Sequence, residues 1–575
     1  MSPPTVTGNA RLLLRYVTPY RSRIMVLGLL LLASAVLQVV TPLLIMQYIN
    51  DAYGTTTVRV LSLIAVTYLI LAVIQQVTLI AATALEQSVA WSMTNEMRVD
   101  LAAHCLDLDY AFHREHSPGE LIERVDGDVS ALSNFLSSAF LVLLVNLLVI
   151  SGVIVVIFVV SWPIGLVLAA YGIIAIVVLV RLRNFALESY NRVRAANADL
   201  FGFLEERLHG IEDIRSAGAG EAVVERLARH GQEVMRRERS ARVREALTFF
   251  VTHGLYLIGY SSALAVAVYL YYRHAATLGT TYLVVSYANA IYGPLNAIRS
   301  QAQDLQLARA SVARIAGLFG TRRRVVDGPG VSLPDGPVAV EFEDVSFAYD
   351  GAAVLQGVSF TLPAGHVLGI VGRTGSGKTT IGRLAARMYD PSAGRVRLGG
   401  VDLRDTTSAW LRMRIGIVSQ EVQLFPGSVR DNLTLFDRRI SDGDVLDAIE
   451  RFALAEWFST LPDGLDTVLG GAGDRMSAGQ SQLLAACRVY LHDPGLVILD
   501  EISSRLDSAT EAQVDAALSR LLRDRTAIVI AHRPRTLERV DEVLVMDSGQ
   551  IVEYGPRPMI DIDPAAYLPA QEPSA

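Results

Sequence analysis

Six long apolar runs dominate the first 300 residues and limit what this chain can fold into. They are Ile24–Ile49, Val60–Leu85, Phe135–Val160, Ile164–Val180, about Phe249–Tyr271 and about Leu278–Ile298. Each approaches the ~20 residues that a helix needs to cross ~30 Å of hydrocarbon. One such run can be a buried core helix; six in one half-chain predict membrane spans. Charged residues make up 19% of the 575, too many for a protein lying wholly inside a bilayer, and 51% are apolar, too many for a soluble one. Two regions of different solvent class are therefore expected, divided near residue 320.

Composition also removes several classes. Two cysteines cannot build a disulfide scaffold or a four-thiolate zinc site, and Cys105 and Cys487 read as small apolar helix residues. A net charge of −7 leaves no basic footprint for nucleic acid, so no nucleic-acid partner is expected. Arg11, Arg15, Arg21 and Arg23 precede the first run without an acidic residue among them. The positive-inside rule then puts the amino terminus in the cytoplasm, and six spans return the chain there. The cytoplasmic membrane is the expected location, with membrane lipid around the spans. The first run is too long for a cleavable signal and lacks a small-residue cleavage site after it.

The connections are unequal. Asn50–Arg59, Ser161–Pro163 and the segment around Arg273–His274 are short external turns, whereas Glu86–Asn134 and Arg181–Leu247 are long and charged. Both long stretches are rich in Ala, Leu, Glu and Arg and read as helical levers. A single helix over Arg59–Leu106 would measure ~72 Å, far more than a bilayer. The levers should turn back at breaks in Asp107–Pro118 and Gly210–Gly220. A basic, then Gly/Pro-rich linker follows at 321–337, after a helical region over 1–320. From 338 to 575 short β-rich runs alternate with helical stretches, which predicts an α/β domain with a largely parallel sheet.

The chemistry is concentrated in this second region. Gly372-Arg373-Thr374-Gly375-Ser376-Gly377-Lys378-Thr379 matches GxxxxGK[ST], after the strand VLGIV and before a helical stretch beginning at Thr380. Its backbone N–H groups can enclose phosphates, Lys378 reaches the terminal ones, and Thr379 offers a hydroxyl to Mg²⁺. ATP and Mg²⁺ are the expected cofactors. In Leu496–Glu501 a buried strand ends in two acids. Asp500 is expected to hold the metal through water and Glu501 to polarise the attacking water. His532 follows the strand TAIVIA and is placed to contact the γ-phosphate or orient that water. Gln420, after IGIVS, is placed to reach the metal or the water and so to sense whether γ-phosphate is present. Ser477, Gly479 and Gln480 open a helix and form a second anion site, useful if two chains sandwich two nucleotides. Tyr349 is placed to stack on a base, though Tyr349-Asp350-Gly351 is also ordinary turn chemistry.

In this joint order the chain resembles the ATP-binding cassette transporters, specifically exporter-type half-transporters. The resemblance implies a fold class: an all-α six-helix transmembrane domain with long cytoplasmic extensions, plus an α/β P-loop NTPase domain. Gly372–Thr379, Gln420, Ser477–Gln480, Asp500-Glu501, a loop ending in Asp507 and His532 carry it. It implies that the breaks at 107–118 and 210–220 are coupling helices, the second reaching the partner chain's nucleotide domain. Three departures stand out. The signature reads MSAGQSQ, Gly470–Gly473 lacks the usual glutamate and arginine, and Arg505 replaces a small residue. An intact Glu501 beside an altered signature resembles one half of a heterodimer with a second half-transporter chain, a homodimer being the alternative. The expected function is ATP-hydrolysing export across the cytoplasmic membrane by alternating access. Siderophore-type import on the same fold and an ATP-gated channel or regulator are the rivals.

Overall fold

The apolar runs and the charged stretches that follow them fold as continuous helices. The computed structural model describes residues 6–54, 56–135, 140–419, 422–469, 476–500, 508–531 and 534–559. Their contacts divide the chain into two units: Met1–Leu106 with Pro118–Thr321, and Asp107–Ser117 with Arg322–Ala575.

The first unit is helical. In chain order it contains α1 (Val6–Val17), α2 (Arg21–Ala52) and α3 (Val58–Asp107). After the excursion Asp107–Ser117, which holds α4 (Tyr110–Glu115), come α5 (Pro118–Ile122) and α6 (Val129–Asn134), with a π-helical turn over Glu123–Asp128 between them. The long elements α7 (Phe140–Val160), α8 (Trp162–His209), α10 (Gly220–Tyr272) and α11 (Leu278–Gly320) follow, with the short α9 (Ile211–Ser216) after α8. The 50 residues of α3 form the single lever expected from their composition. By length and composition, Leu12–Ala52, Val58–Asp107 and Gly220–Tyr272 can each cross a membrane, and Leu144–Val160 and Trp162–Ala175 are shorter apolar stretches among the described residues.

Small residues set the spacing of the spans. Ala35, Ala175, Ala263, Ala267 and Ala288 are buried in a cluster with Val39, Ile157, Leu168 and Tyr287. Close backbone approach of this kind replaces the hydrophobic drive that is missing between helices in lipid. The Tyr287 hydroxyl, fully buried, donates to the Val39 carbonyl at 2.8 Å. Outside the spans, polar pairs take over. Asp128 is 3% exposed and accepts from Arg314 Nε at 2.8 Å and Ser311 Oγ at 2.9 Å. This ties the π-helical turn to the far end of α11. His104 Nε2 lies 3.0 Å from the Leu318 carbonyl and ties α3 to the same end.

The second unit has two sheets. β1 (Val340–Tyr349), β2 (Ala352–Leu362), β4 (Ala393–Leu398) and β5 (Val401–Asp402) form an antiparallel sheet in the order β2-β1-β4-β5. The larger sheet uses β3 (Val367–Gly372), β6 (Ile415–Val418), β9 (Leu496–Asp500), β10 (Thr526–Ile530), β11 (Glu542–Asp547) and β12 (Gln550–Pro556), in the order β12-β11-β3-β10-β9-β6. A two-residue pair, β7 (Gly427–Ser428) and β8 (Val468–Leu469), lies apart. Only β12 pairs antiparallel within the larger sheet. Parallel strands are covered on both faces, so their sequences are apolar throughout. Alternate residues serve alternate cores: Val497 and Leu499 join one apolar cluster, Leu496 and Ile498 the other. The helices are α12 (Lys378–Ala385), α13 (Ser408–Arg414), α14 (Val429–Thr434), α15 (Asp442–Arg451), α16 (Ala455–Ser459), α17 (Ala478–Leu491) and α18 (Ser508–Leu522).

Candidate functional site

The parallel register brings the motif residues to one edge of the larger sheet. Ile370 of β3, Ile530 of β10 and Asp500 of β9 lie level, and Val418 of β6 pairs with Leu499. The phosphate loop therefore leaves β3 at the edge where Asp500, Ala531 and Ser419 close their strands. This is the carboxyl-end position where open α/β sheets bind ligands. Gln420, Glu501, Asp507, His532 and Gly470–Gly473 lie outside the described residues.

The loop conformation depends on its glycines. Gly377 adopts φ 103°, and a Cβ there would stand 2.6 Å from Leu355 Cδ2. At Gly372 a Cβ would stand 2.2 Å from the Met546 carbonyl oxygen. Gly377 directly precedes α12, whose first-turn N–H groups and dipole favour an anion. Lys378, 6% exposed, donates to the carbonyls of Gly372 at 2.7 Å and Arg373 at 2.9 Å. These bonds hold the ammonium inside the loop. The Ser376 hydroxyl is 3% exposed and lacks a hydrogen-bond partner among the described residues. A buried orphan of this kind is costly unless an acceptor meets it, and a phosphate oxygen fits. Arg373, Thr374 and Gly375 are exposed, Thr379 is half-buried and Thr380 is buried.

The metal donor set is sparse. No group of three His, Cys, Asp or Glu side chains assembles among the described residues. The Thr379 hydroxyl and the Asp500 carboxylate remain, and this suits Mg²⁺, which keeps waters and shares phosphate oxygens rather than taking an all-protein cage. Cys105 and Cys487 are buried free thiols, in keeping with an apolar role.

Ser477 is exposed at the head of α17 and forms a capping box with Gln480. Ser477 Oγ accepts the Gln480 N–H at 3.1 Å, and Gln480 Oε1 accepts the Ser477 N–H at 3.0 Å. The Gln480 side chain thus braces the serine, whose own O–H proton can still be donated. The Ser-x-x-Gln spacing was the signal for this brace. Gly479, one residue before, is buried.

Tyr349 ends β1 in a crowded aromatic setting that sequence reasoning missed. Its hydroxyl accepts from Arg383 Nη1 at 3.2 Å and lies 3.5 Å from Thr380 Oγ1. Phe347 and Tyr389 stand edge to face with it at 4.8 and 5.2 Å. The Arg114 guanidinium sits 4.5 Å from the ring centroid, within cation–π range. Arg114 belongs to α4, the break expected at the tip of the first lever. Tyr110 of the same helix packs edge-on against Tyr389 at 5.9 Å. A cavity of about 400 Å³ opens between Asp109, Arg114, Arg324, Tyr349 and Tyr389.

Comparison with known proteins agrees with this geometry. Residues 24–295 match the family model described as the ABC transporter transmembrane region, and residues 355–504 the one described as ABC transporter. The uncharacterized ABC transporter ATP-binding protein YknV of Bacillus subtilis (strain 168) is 29% identical over 558 residues, covering 94% of this chain and 91% of the relative. The ATP-dependent lipid A-core flippase of Escherichia coli (strain K12) is 28% identical, covering 94% and 93%. The structure of a bacterial Atm1-family ABC exporter with ATP bound has the same fold, with a TM-score of 0.79 at 23% identity over 94% of this chain and 95% of that one. With membrane-length apolar helices, a phosphate loop and a capped signature helix in one polypeptide, the chain belongs to the ATP-binding cassette transporters as an exporter-type half-transporter, an ATPase coupled to transport.

Proposed function

We propose that this half-transporter works as the hydrolysing half of a heterodimer that exports a substrate across the cytoplasmic membrane by alternating access. The carrying observation is the pairing of a complete phosphate loop, with the buried Ser376 hydroxyl unpartnered, and a Ser477 exposed at the head of α17. The first is a site for the chain's own nucleotide; the second faces outward, where only another chain can use it. MgATP supplies the transferable phosphoryl group. Lys378, Ser376 and the α12 N–H groups hold the phosphates, Thr379, Asp500 and Gln420 hold the metal, and Tyr349 stacks on the base. Glu501 polarises the attacking water and His532 orients it. Ser477 and the Gly479 N–H close the partner's site, and the tip at 210–220 docks on the partner's nucleotide domain. The altered signature MSAGQSQ and Arg505 beside Glu501 support a heterodimer, and the arginines at 11, 15, 21 and 23 support a cytoplasmic amino terminus.

ATPase assay of the chain purified alone, and again with its co-purifying partner, tests both parts. The pair should hydrolyse ATP, and Lys378→Ala should abolish this. Full transport by the Lys378→Ala pair sinks the hydrolytic role. Robust hydrolysis by the lone chain, lost on Glu501→Gln, sinks the need for a different partner.

A further inference from the structure

Three spans bring their polar aromatic residues together. Phe249, His253, Tyr256 and Tyr260 form a stripe on α10, Asn289 and Tyr292 lie on α11, and Tyr171 of α8 packs against Gly259 so closely that a Cβ there would stand 2.3 Å from its ring. Tyr256 and Tyr292 have ring centroids 4.4 Å apart, and Tyr256 lies 5.8 Å from Tyr260. These rings are only partly buried, and Asn289 is exposed. Polar groups in spans face a bundle or a water-filled cavity rather than lipid.

Hydrogen bonding within the cluster decides what it presents. His253 Nδ1 lies 3.1 Å from the Phe249 carbonyl and must donate to it. In the neutral imidazole Nε2 is then an acceptor, so the Tyr292 hydroxyl, 2.5 Å away, donates its proton inward. Tyr256 O–H donates likewise to Asn289 Oδ1 at 2.5 Å. Both phenol protons are occupied inside the cluster. Besides the neutral donors of the Asn289 amide and the Tyr260 hydroxyl, what remains toward a ligand is oxygen lone pairs and electron-rich ring faces, with no fixed charge. None of the six apolar runs contains a Lys, Arg, Asp or Glu. An anionic headgroup would find no fixed cation there, whereas a lipophilic cation would meet several ring faces without having to strip water from a buried carboxylate.

We propose that this cluster is a cargo-binding site for lipophilic organic cations. The inference rests on the reading of the chain as a transporter and names the class of cargo. The test uses the full chain, with its partner if one co-purifies, in nanodiscs of zwitterionic lipid, with protein-free nanodiscs subtracted. Tetraphenylphosphonium and tetraphenylborate, alike in shape and opposite in charge, are the probes.

The phosphonium should bind saturably and at least about tenfold more tightly than the borate. Tyr256→Leu should weaken phosphonium binding about tenfold, while Tyr256→Phe, which keeps the ring, should restore it. Tyr272→Leu, at the exposed end of α10, should leave it unchanged. Equal binding of the two ions, no saturable phosphonium binding, or a Tyr256→Leu protein that binds like the parent overturns the proposal. If the leucine variant fails to fold, the two ions on the parent protein still decide. ATP hydrolysis measured on the same samples separates the two readings. An active ATPase that ignores the cation overturns only the cargo class, and an ATPase inactive even with its co-purified partner overturns the transporter reading.

Discussion

Two lever tips that read alike in sequence have different surroundings. The first, Asp107–Ser117, belongs to the second unit. Ala111 and Phe112 are buried, Asp109 accepts the backbone N–H groups of Arg324 and Val325, and Arg323 and Arg324 pair with Asp107 and Glu115. The second, around α9, stays with the first unit, and Ile211 is 42% exposed. Both are short helices at the end of ~70 Å levers, each interrupted by small or breaking residues. The difference lies in what meets them. An aromatic and ionic surface covers one within the same chain. The other carries Ile211, an apolar side chain left 42% exposed among the described residues.

Substitutions can break or sharpen this contrast. Phe112→Ala should act most strongly, removing a ring that is 6% exposed and stacked on His116 at 4.3 Å. A loss of about 3 kcal/mol should lower the melting temperature of the detergent-purified protein by roughly 6–10 °C. An unchanged melt would mean that the first tip is not anchored by its apolar face. Arg324→Gln removes an exposed ion pair with Glu115 at 2.9 Å and should cost about 0.5 kcal/mol, less at high salt. A much larger loss, measured the same way, would move the anchor from the apolar face to the ionic rim. Ile211→Glu should change stability by under about 0.5 kcal/mol, the smallest effect of the three. It should nevertheless uncouple ATP hydrolysis from transport in a reconstituted vesicle assay. Intact coupling in that variant would remove the second tip from the transmission path.

Periodicity and breakers made much of this architecture readable. Unbroken Ala- and Leu-rich sequence foretold α3 as one helix, and Asp107–Pro118 held enough turn chemistry to mark its end. The glycine spacing at 372–377 marked the phosphate loop because only glycine tolerates those angles beside Met546 and Leu355. The cation over Tyr349 was not readable. Arg114 and Tyr349 are 235 positions apart, and neither local propensity nor charge pattern pairs them. Nor was the buried Asp128, whose partners Ser311 and Arg314 come from the end of another helix. Gln480 is a different case: the capping spacing was present, but a nucleotide-binding reading of the motif obscured it.

The polypeptide passes between its two units three times, at Leu106–Asp107, Ser117–Pro118 and Thr321–Arg322. Inside the first unit, His104 and Asp128 fasten the approaches of the first two passages to the end of α11, from which the third departs. A protease cut in the 322–337 linker severs the covalent path to 338–575, which the 107–117 excursion then holds only through non-covalent packing such as Tyr110 against Tyr389 and Arg114 over Tyr349. Whether the two fragments then stay together in solution measures the strength of that non-covalent clasp.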